Sequence, residues 1–441
     1  MISIKPRRAS EIAKIVSGEL VGEDSLIDKI SLNSKEKMGA GCCFVAIKGE
    51  KYDGNDFIDE AFENGATLVI SERKITGGAC LLVDNTRIAL LELARANKGN
   101  TKIIGITGSV GKTTVKNMII SVLSQKYSVI GTKENQNNEI GVALTLLGIT
   151  NEDFCVVEMG MRSLGEIDLL SSYALPEAAV ITNAKTSHIE MLGSEENILR
   201  AKMEILNYRP KYAVLPCDMR LKARDFSDIK TIFVDEEIDI SRCIYFDGGI
   251  KFFINENYSS EMKIYSYNLH NIYNASIAYH IGKLYGLTDT QICKGLLCFK
   301  QDKLREEYLE INGVTVINDC YNSSYESLKS SLISLVKYGE TKGKKPNALI
   351  GDILELGIYS EEIHTKIGKL CRELEIKGLY LYGDNVKYIK IGAGYGEYFE
   401  NKEELIKELC QKLNKDDILL VKASRMLKFE NIIEEMKKRN E

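Results

Sequence analysis

No apolar stretch in this chain approaches the roughly 18 residues needed to cross a bilayer, so membrane insertion is not expected. No basic start followed by an apolar segment is present, so no secretory signal is expected. The 11 cysteines are odd in number and scattered, with no C-x-x-C pair among them. They read as reduced thiols of a cytoplasmic protein, some of them core fillers, and a zinc site is not expected. A basic excess is also missing. The net charge of -5 leaves no surplus of cations to neutralise phosphates, which argues against a nucleic-acid partner. Histidine is scarce, at four residues, and neither a repeat nor a low-complexity linker is found.

What remains is ordinary for a globular protein: 441 residues, 44% hydrophobic and 27% charged. That length suggests about three domains. Residues 1–83 form an opening unit with strands at 44–47, 66–70 and 81–83 and a short amphipathic helix at 57–62. Residues 84–303 alternate strands with helices: strands at 102–107, 155–158, 178–182, 212–215 and 231–234, a connecting helix at 88–96 and a closing helix at 270–284. Residues 304–441 repeat the alternation, with strands at 314–317, 348–350, 379–382 and 418–421. Short apolar strands alternating with helices predict α/β domains built on mostly parallel sheets, the third of dinucleotide-binding type. No G-x-G-x-x-G follows its first strand.

The richest segment is Ile103-Ile-Gly-Ile-Thr-Gly-Ser-Val-Gly-Lys-Thr-Thr114. A strand, a glycine-rich turn and a helix start are laid out in the order that cradles a polyphosphate with backbone N–H groups. The usual glycine five residues before Gly111 is missing, because Ile106 stands there. The loop is therefore the shorter form Gly108, Ser109, Val110, Gly111, Lys112, Thr113, Thr114. Lys112 is expected on the β/γ-phosphates, and Thr113 on Mg²⁺. Glu158 directly follows a strand of the same unit, where ligands bind in open α/β sheets, and can share that cation. His188 lies in the loop after the strand at 178–182, and a satisfied loop histidine is its alternative reading. Lys202 sits on a helix, where a solvated lysine is the alternative.

Further segments are Asn135-Gln-Asn-Asn-Glu-Ile-Gly141, Val157-Glu-Met-Gly160, Gly165-Glu-Ile167, Ser187-His188 and Ala201-Lys202. Others are His270-Asn-x-x-Asn274, Asn318-Asp-x-Tyr-Asn322, Gly351-Asp-x-x-Glu-Leu-Gly357 and Val421-Lys-x-Ser-Arg425. Together with the short phosphate loop, these make the chain resemble the Mur ligases of peptidoglycan synthesis over nearly its full length. The Asn318–Asn322 and Gly351–Gly357 motifs are similar to the branch that adds D-alanyl-D-alanine to UDP-N-acetylmuramoyl-tripeptide.

The resemblance implies three domains: a uridine-binding domain, a central ATP-binding domain and a Rossmann-like ligase domain. It implies two Mg²⁺ ions, with Thr113 and Glu158 on the first and His188 on the second. Lys202 would be carbamylated and serve as an anionic ligand. Asn271 and Asn274 would contact adenine, and Arg305 and Asp319 would close over ATP. Ser34 and Lys48 would contact the uridine nucleotide. Thr132, Asn135, Asn137 and Asn138 would hold the muramoyl-diphosphate, with Tyr321 and Asn322 also on the substrate. His364 matches a family position without an assigned role. A monomer is expected.

The chain departs from the pattern at four places. Lys35 stands for an arginine, losing its bidentate fork. Asn55 stands for a histidine. Tyr325 replaces the proline that closes the Tyr-Asn-x-x-Pro motif, and Met426 with Leu427 follows Arg425 where glycine is usual. Tyr325 and Met426 are expected to reshape the amine pocket. A ligase for another amine, or a nucleotide-binding switch without ligase activity, stand as the alternatives.

Overall fold

The structure is a computed structural model that describes residues 1–49, 51–185, 189–234, 238, 242–246, 248–254 and 260–439. Three six-stranded sheets follow one another along the chain. The first joins Ile2–Arg8, Leu26–Ser31, Cys42–Val45, Leu68–Ser71, Cys80–Leu82 and Glu19–Val21 in that spatial order, parallel inside and antiparallel at both edges. The sequence reading found its inner strands 42–45, 68–71 and 80–82 and missed the others. Ile2–Arg8 buries one residue of seven and contains Pro6, so it has no apolar run to recognise. Proline is tolerated there because an edge strand has an unpaired side.

The second sheet is wholly parallel: Lys230–Val234, Tyr212–Pro216, Ala178–Ile181, Lys102–Thr107, Phe154–Glu158 and Val129–Gly131. Alternate residues feed two cores. Ile104, Ile106, Val156, Val180 and Val214 pack on the side of helices Lys112–Leu123 and His270–Leu284. Ile103, Cys155, Val157, Ala179 and Leu215 pack on the side of Glu139–Leu147, Glu166–Ala174 and Glu195–Met203. Both faces are covered, which is why these strands read as continuous apolar runs. The second of these cores also takes in Ile4, Ile12, Leu68 and Leu90. A change of sheet near residue 83 is therefore not a break in the core. An antiparallel sheet of Ile244–Phe246, Gly249–Ile254 and Ser260–Ile264, not expected from the sequence, packs on the other core.

The third sheet runs Glu307–Ile311, Val314–Asn318, Asp417–Lys422, Lys345–Gly351, Gly378–Tyr382 and Glu397–Phe399. Its first pair is a hairpin closed by Asn312 and Gly313, at φ +59° and +82°. Two successive positive φ values match the right-handed twist of the flanking strands, and Asn-Gly adopts them at low cost.

The chain leaves Lys102–Thr107 for two strands on one side, then crosses to Ala178–Ile181 on the other. That reversal opens a crevice at the carboxyl ends of the second sheet, where the phosphate loop and Glu158 meet. Among the described residues no helix is long and apolar enough to cross a membrane.

Candidate active site

The turn after Lys102–Thr107 is fixed by its two glycines. Gly108 is at φ +150°, and a Cβ there would fall 1.9 Å from Thr182 Oγ1. Gly111 is at φ +87°, with the Asn274 side chain 2.8 Å from the place of a Cβ. Neither position tolerates a side chain. Val110 N donates to Asn183 Oδ1 at 3.0 Å, and Asn183 Nδ2 returns a bond to the Val110 carbonyl at 3.0 Å. Lys112 opens the helix, and its ammonium donates to the Gly108 carbonyl at 2.7 Å, inside the concavity of the loop. Burial pushes the Lys112 pKa down, opposed by Glu158, and Arg305 pushes it further down.

Glu158 is 2% exposed. Its Oε2 accepts from the Thr113 hydroxyl at 2.9 Å and its Oε1 from the Asn137 amide at 2.9 Å. Hydroxyl and carboxylate oxygens side by side are hard donors, and together they fit Mg²⁺ with phosphate and water completing the shell. No cluster of three His, Cys, Asp or Glu side chains able to hold a metal occurs among the described residues. A cation at Glu158 would thus draw the rest of its shell from elsewhere. Lys202 is 1% exposed, and burial together with Lys112 holds its pKa well below the ordinary value. An ammonium does not fit a cation site, whereas a carbamate on the same nitrogen does. His188 lies outside the described residues.

These groups line one cleft of about 1680 Å³, walled by all three parts of the chain. The first wall is Leu32–Lys35 with Phe44, Tyr52 and Phe57. There the Ser34 hydroxyl donates to Glu60 Oε2 at 2.5 Å. The central wall carries Gly108–Thr114, Asn135, Asn137, Asn138, Glu158, Lys202, Asn271 and Asn274. The third carries Arg305, Asp319, Tyr321, Asn322, Ser323, Ile353–Leu356 and Ser424–Met426.

Contacts cross between the walls. Arg305 stacks on the Tyr321 ring at 3.9 Å, and its Nη2 lies 3.4 Å from Thr113 Oγ1. Asn271 Nδ2 donates to Glu306 Oε2 at 2.9 Å, and Asn274 Nδ2 donates to Asn271 Oδ1 at 2.8 Å. Asp319 pairs with buried Lys422 at 2.6 Å and accepts from the Ser331 hydroxyl at 2.6 Å. Ser323 is 7% exposed, and its hydroxyl has no hydrogen-bond partner among the described residues.

Three expected residues sit differently from the sequence reading. Thr132 is 3% exposed and stands behind the cleft wall, where its hydroxyl accepts from Glu158 N at 3.0 Å. It orients the acid rather than facing a substrate. Lys48 is exposed and off the cleft wall, with its carbonyl accepting from Arg87 at 2.7 Å. Tyr325 is the first residue of helix Tyr325–Lys342, and its ring packs on the third core rather than on the cleft. Proline favours that first helical position, so the substitution exchanges one structural residue for another. Met426 does line the cleft and is 81% exposed. Asn55 is buried between Asp53 and Ser71, bonded to each at 2.7 and 2.8 Å.

The sequence reading missed Asn183, Lys116, Glu306 and Lys422. Lys116 is buried one turn after Lys112 and donates to the Thr132 carbonyl at 2.7 Å. Glu306 accepts from Ser266, Tyr267 N, Asn268 N, Asn271 and Tyr308, and burial raises its pKa to about 7. Glu306 gave no signal beyond its neighbour Arg305, whereas Lys422 stood in the Val421–Arg425 motif without a role assigned to it.

Comparison with known proteins accounts for this arrangement along the whole chain. Residues 27–96 match the Mur ligase family catalytic domain, residues 106–282 the Mur ligase middle domain and residues 304–425 the Mur ligase glutamate ligase domain. The UDP-N-acetylmuramoyl-tripeptide–D-alanyl-D-alanine ligase of Bacillus subtilis (strain 168) is 35% identical, with 98% of each chain covered. The enzyme of the same name from Escherichia coli (strain K12) is 30% identical, covering 96% of this chain and 97% of that one. A crystal structure of MurF from Acinetobacter baumannii superposes with a TM-score of 0.92 at 27% identity, over 99% and 100% of the two chains. A MurF ligase from Thermotoga maritima in complex with ADP gives 0.84 at 30% identity, over 93% and 97%.

Proposed function

The chain belongs to the Mur ligase family, and we propose that within it this protein joins D-alanyl-D-alanine to UDP-N-acetylmuramoyl-tripeptide, at the expense of ATP, in peptidoglycan precursor synthesis. One observation carries the reading. A phosphate loop, a first-domain wall and a third-domain wall enclose a single cleft, so three reactants can meet there. Residues 1–83 are assigned to the UDP-substrate, 84–303 to ATP and 304–441 to closure and the amine.

The tripeptide carboxylate is a poor electrophile. Its oxygen attacks the γ-phosphorus of ATP, forming an acyl phosphate and releasing ADP. The dipeptide amine then attacks the acyl carbon, and the tetrahedral intermediate expels phosphate. Anionic groups crowd together in the first step, so cations at fixed positions lower its barrier. Lys112 and the loop N–H groups hold the β/γ-phosphates. Arg305, braced on Tyr321, approaches the same phosphates from the third domain. Thr113 and Glu158 would hold one Mg²⁺, and carbamylated Lys202 with His188, by the family resemblance, a second; the ions would supply positive charge to the transferring phosphate. Asn137 holds Glu158 in place, and Asn135 and Asn138 face the muramoyl-diphosphate. Asn271 and Asn274 meet the adenine. Closure of the third wall keeps water from the acyl phosphate.

The amine enters from the remaining wall, where Arg425 and the Ser323 hydroxyl, which has no partner among the described residues, suit its carboxylate. The protein is assigned to the cytoplasm. It is assigned as a monomer, because one chain supplies every wall of the cleft.

A ligase for a different amine is the second reading, favoured by Met426 on that wall. Phosphate release separates the two. It should depend on the UDP-tripeptide and on D-alanyl-D-alanine together. Dependence on the tripeptide but on another amine would favour the second reading, and indifference to both would exclude ligase activity.

A further inference from the structure

We propose that His364 is a positioning residue for the amine half of the reaction: its neutral ring holds residues 353–356 in the conformation that receives the dipeptide. The proposal rests on the reading above that the third wall takes the amine.

His364 lies in helix Ser360–Glu373 and is 0% exposed. Its Nδ1 is 2.7 Å from the Ser360 carbonyl oxygen. A carbonyl only accepts, so Nδ1 carries the ring hydrogen. Nε2 is then the bare nitrogen, and it accepts from Ile353 N at 3.1 Å. Both ring nitrogens are committed, which fixes the tautomer and the ring plane. Burial lowers the pKa of the ring, favouring the neutral form this arrangement needs.

The segment it holds is anchored by the buried side chains of Ile353 and Leu356 and by polar contacts to its neighbours. Leu354 N donates to Ser424 Oγ at 2.9 Å. The Asp352 carboxylate accepts from the N–H groups of Asp384, Asn385 and Val386 at 2.9, 2.9 and 3.0 Å. Three consecutive residues are thus pinned to three separate parts of the third domain. Glu355 follows at φ +62°, a conformation that a non-glycine residue keeps only when its surroundings impose it. Residues 353–356 all line the cleft beside Ser424 and Met426. Among the described residues the hydrogen bonds of His364 go to Ile353 and Ser360, not to the loop at 108–114, Glu158 or Arg305. Its effect should therefore fall on the amine and not on ATP.

The test is steady-state kinetics on the full-length enzyme with ATP, UDP-N-acetylmuramoyl-tripeptide and D-alanyl-D-alanine varied in turn. His364→Leu keeps the bulk but cannot accept from Ile353 N. It should raise KM for the dipeptide about tenfold, while KM for ATP and for the tripeptide stay within about twofold. His364→Gln can accept through Oε1 and should recover most of the loss. Should the leucine variant fail to fold, Ser424→Ala removes the acceptor on the other side of the segment and should give the same split. An unchanged dipeptide KM, or equal rises in all three, overturns the proposal. A wild-type enzyme that does not ligate the dipeptide overturns the functional reading, and this one with it.

Discussion

The Arg305 guanidinium, from the third domain, lies 3.4 Å from the Thr113 hydroxyl at the start of the phosphate-loop helix. One side chain thereby ties the third wall to the loop proposed to hold the triphosphate. Lys112→Ala should lower turnover by on the order of 10³, the cost of removing a preorganised charge from phosphoryl transfer. Arg305→Ala should lower kcat/KM for ATP by on the order of 10², since Lys112 remains. Both should keep the parent's circular dichroism. Near-normal turnover in Lys112→Ala would remove the phosphate-loop assignment.

Lys202 is buried beside the charge of Lys112, and both hold its pKa well below the ordinary value. Carbamylation would exchange its positive charge for two oxygen acceptors. Lys202→Ala should lose most ligase activity, and a short carboxylic acid in the buffer should restore part of it. Lys202→Arg should not be restored, because its guanidinium keeps the wrong charge and fills the space. An alanine variant as active as the parent would leave Lys202 a plain structural residue.

Glu306 gives a pH dependence whose sign is fixed. Burial raises its pKa from 4.5 to about 7. Between those values the folded chain holds a proton that the unfolded chain releases, so folding stability falls as pH rises through the window. Its contribution is fully present below pH 4.5 and lost above about pH 7. Relative to Glu306→Gln, the parent should lose on the order of 2 kcal/mol between pH 5 and pH 8 in urea unfolding. Parallel stability curves for the two proteins would show that the carboxyl is ionised across the whole range.

Tyr325 and Met426 separate structure from specificity. Met426→Gly should change KM for the dipeptide and leave KM for ATP within about twofold. Tyr325→Pro should leave both within about twofold, because proline suits the first helical position. A large dipeptide effect from Tyr325→Pro would place that ring on the amine wall after all.

The four inner strands of the central sheet were legible because they are buried on both faces and therefore apolar almost without interruption. Edge strands such as Ile2–Arg8 were not, since one buried residue in seven leaves no pattern. Glycine and lysine spacing pointed to the loop at 108–114, and the acid after a strand to Glu158, and the structure brings the two together in one cleft. Spacing could not show that Thr132 turns inward to Glu158 N, or that Tyr325 packs on the core. It could not pair Lys422 with Asp319 or gather five donors on Glu306. Those facts arise where segments distant in sequence converge, and no local pattern records them.

The most direct test of the account is mass spectrometry of the product formed from ATP, UDP-N-acetylmuramoyl-tripeptide and D-alanyl-D-alanine. The account predicts a UDP-linked pentapeptide, with one ADP and one phosphate released for each product molecule. ATP hydrolysis that proceeds equally without either co-substrate, and leaves the tripeptide unchanged, would contradict it.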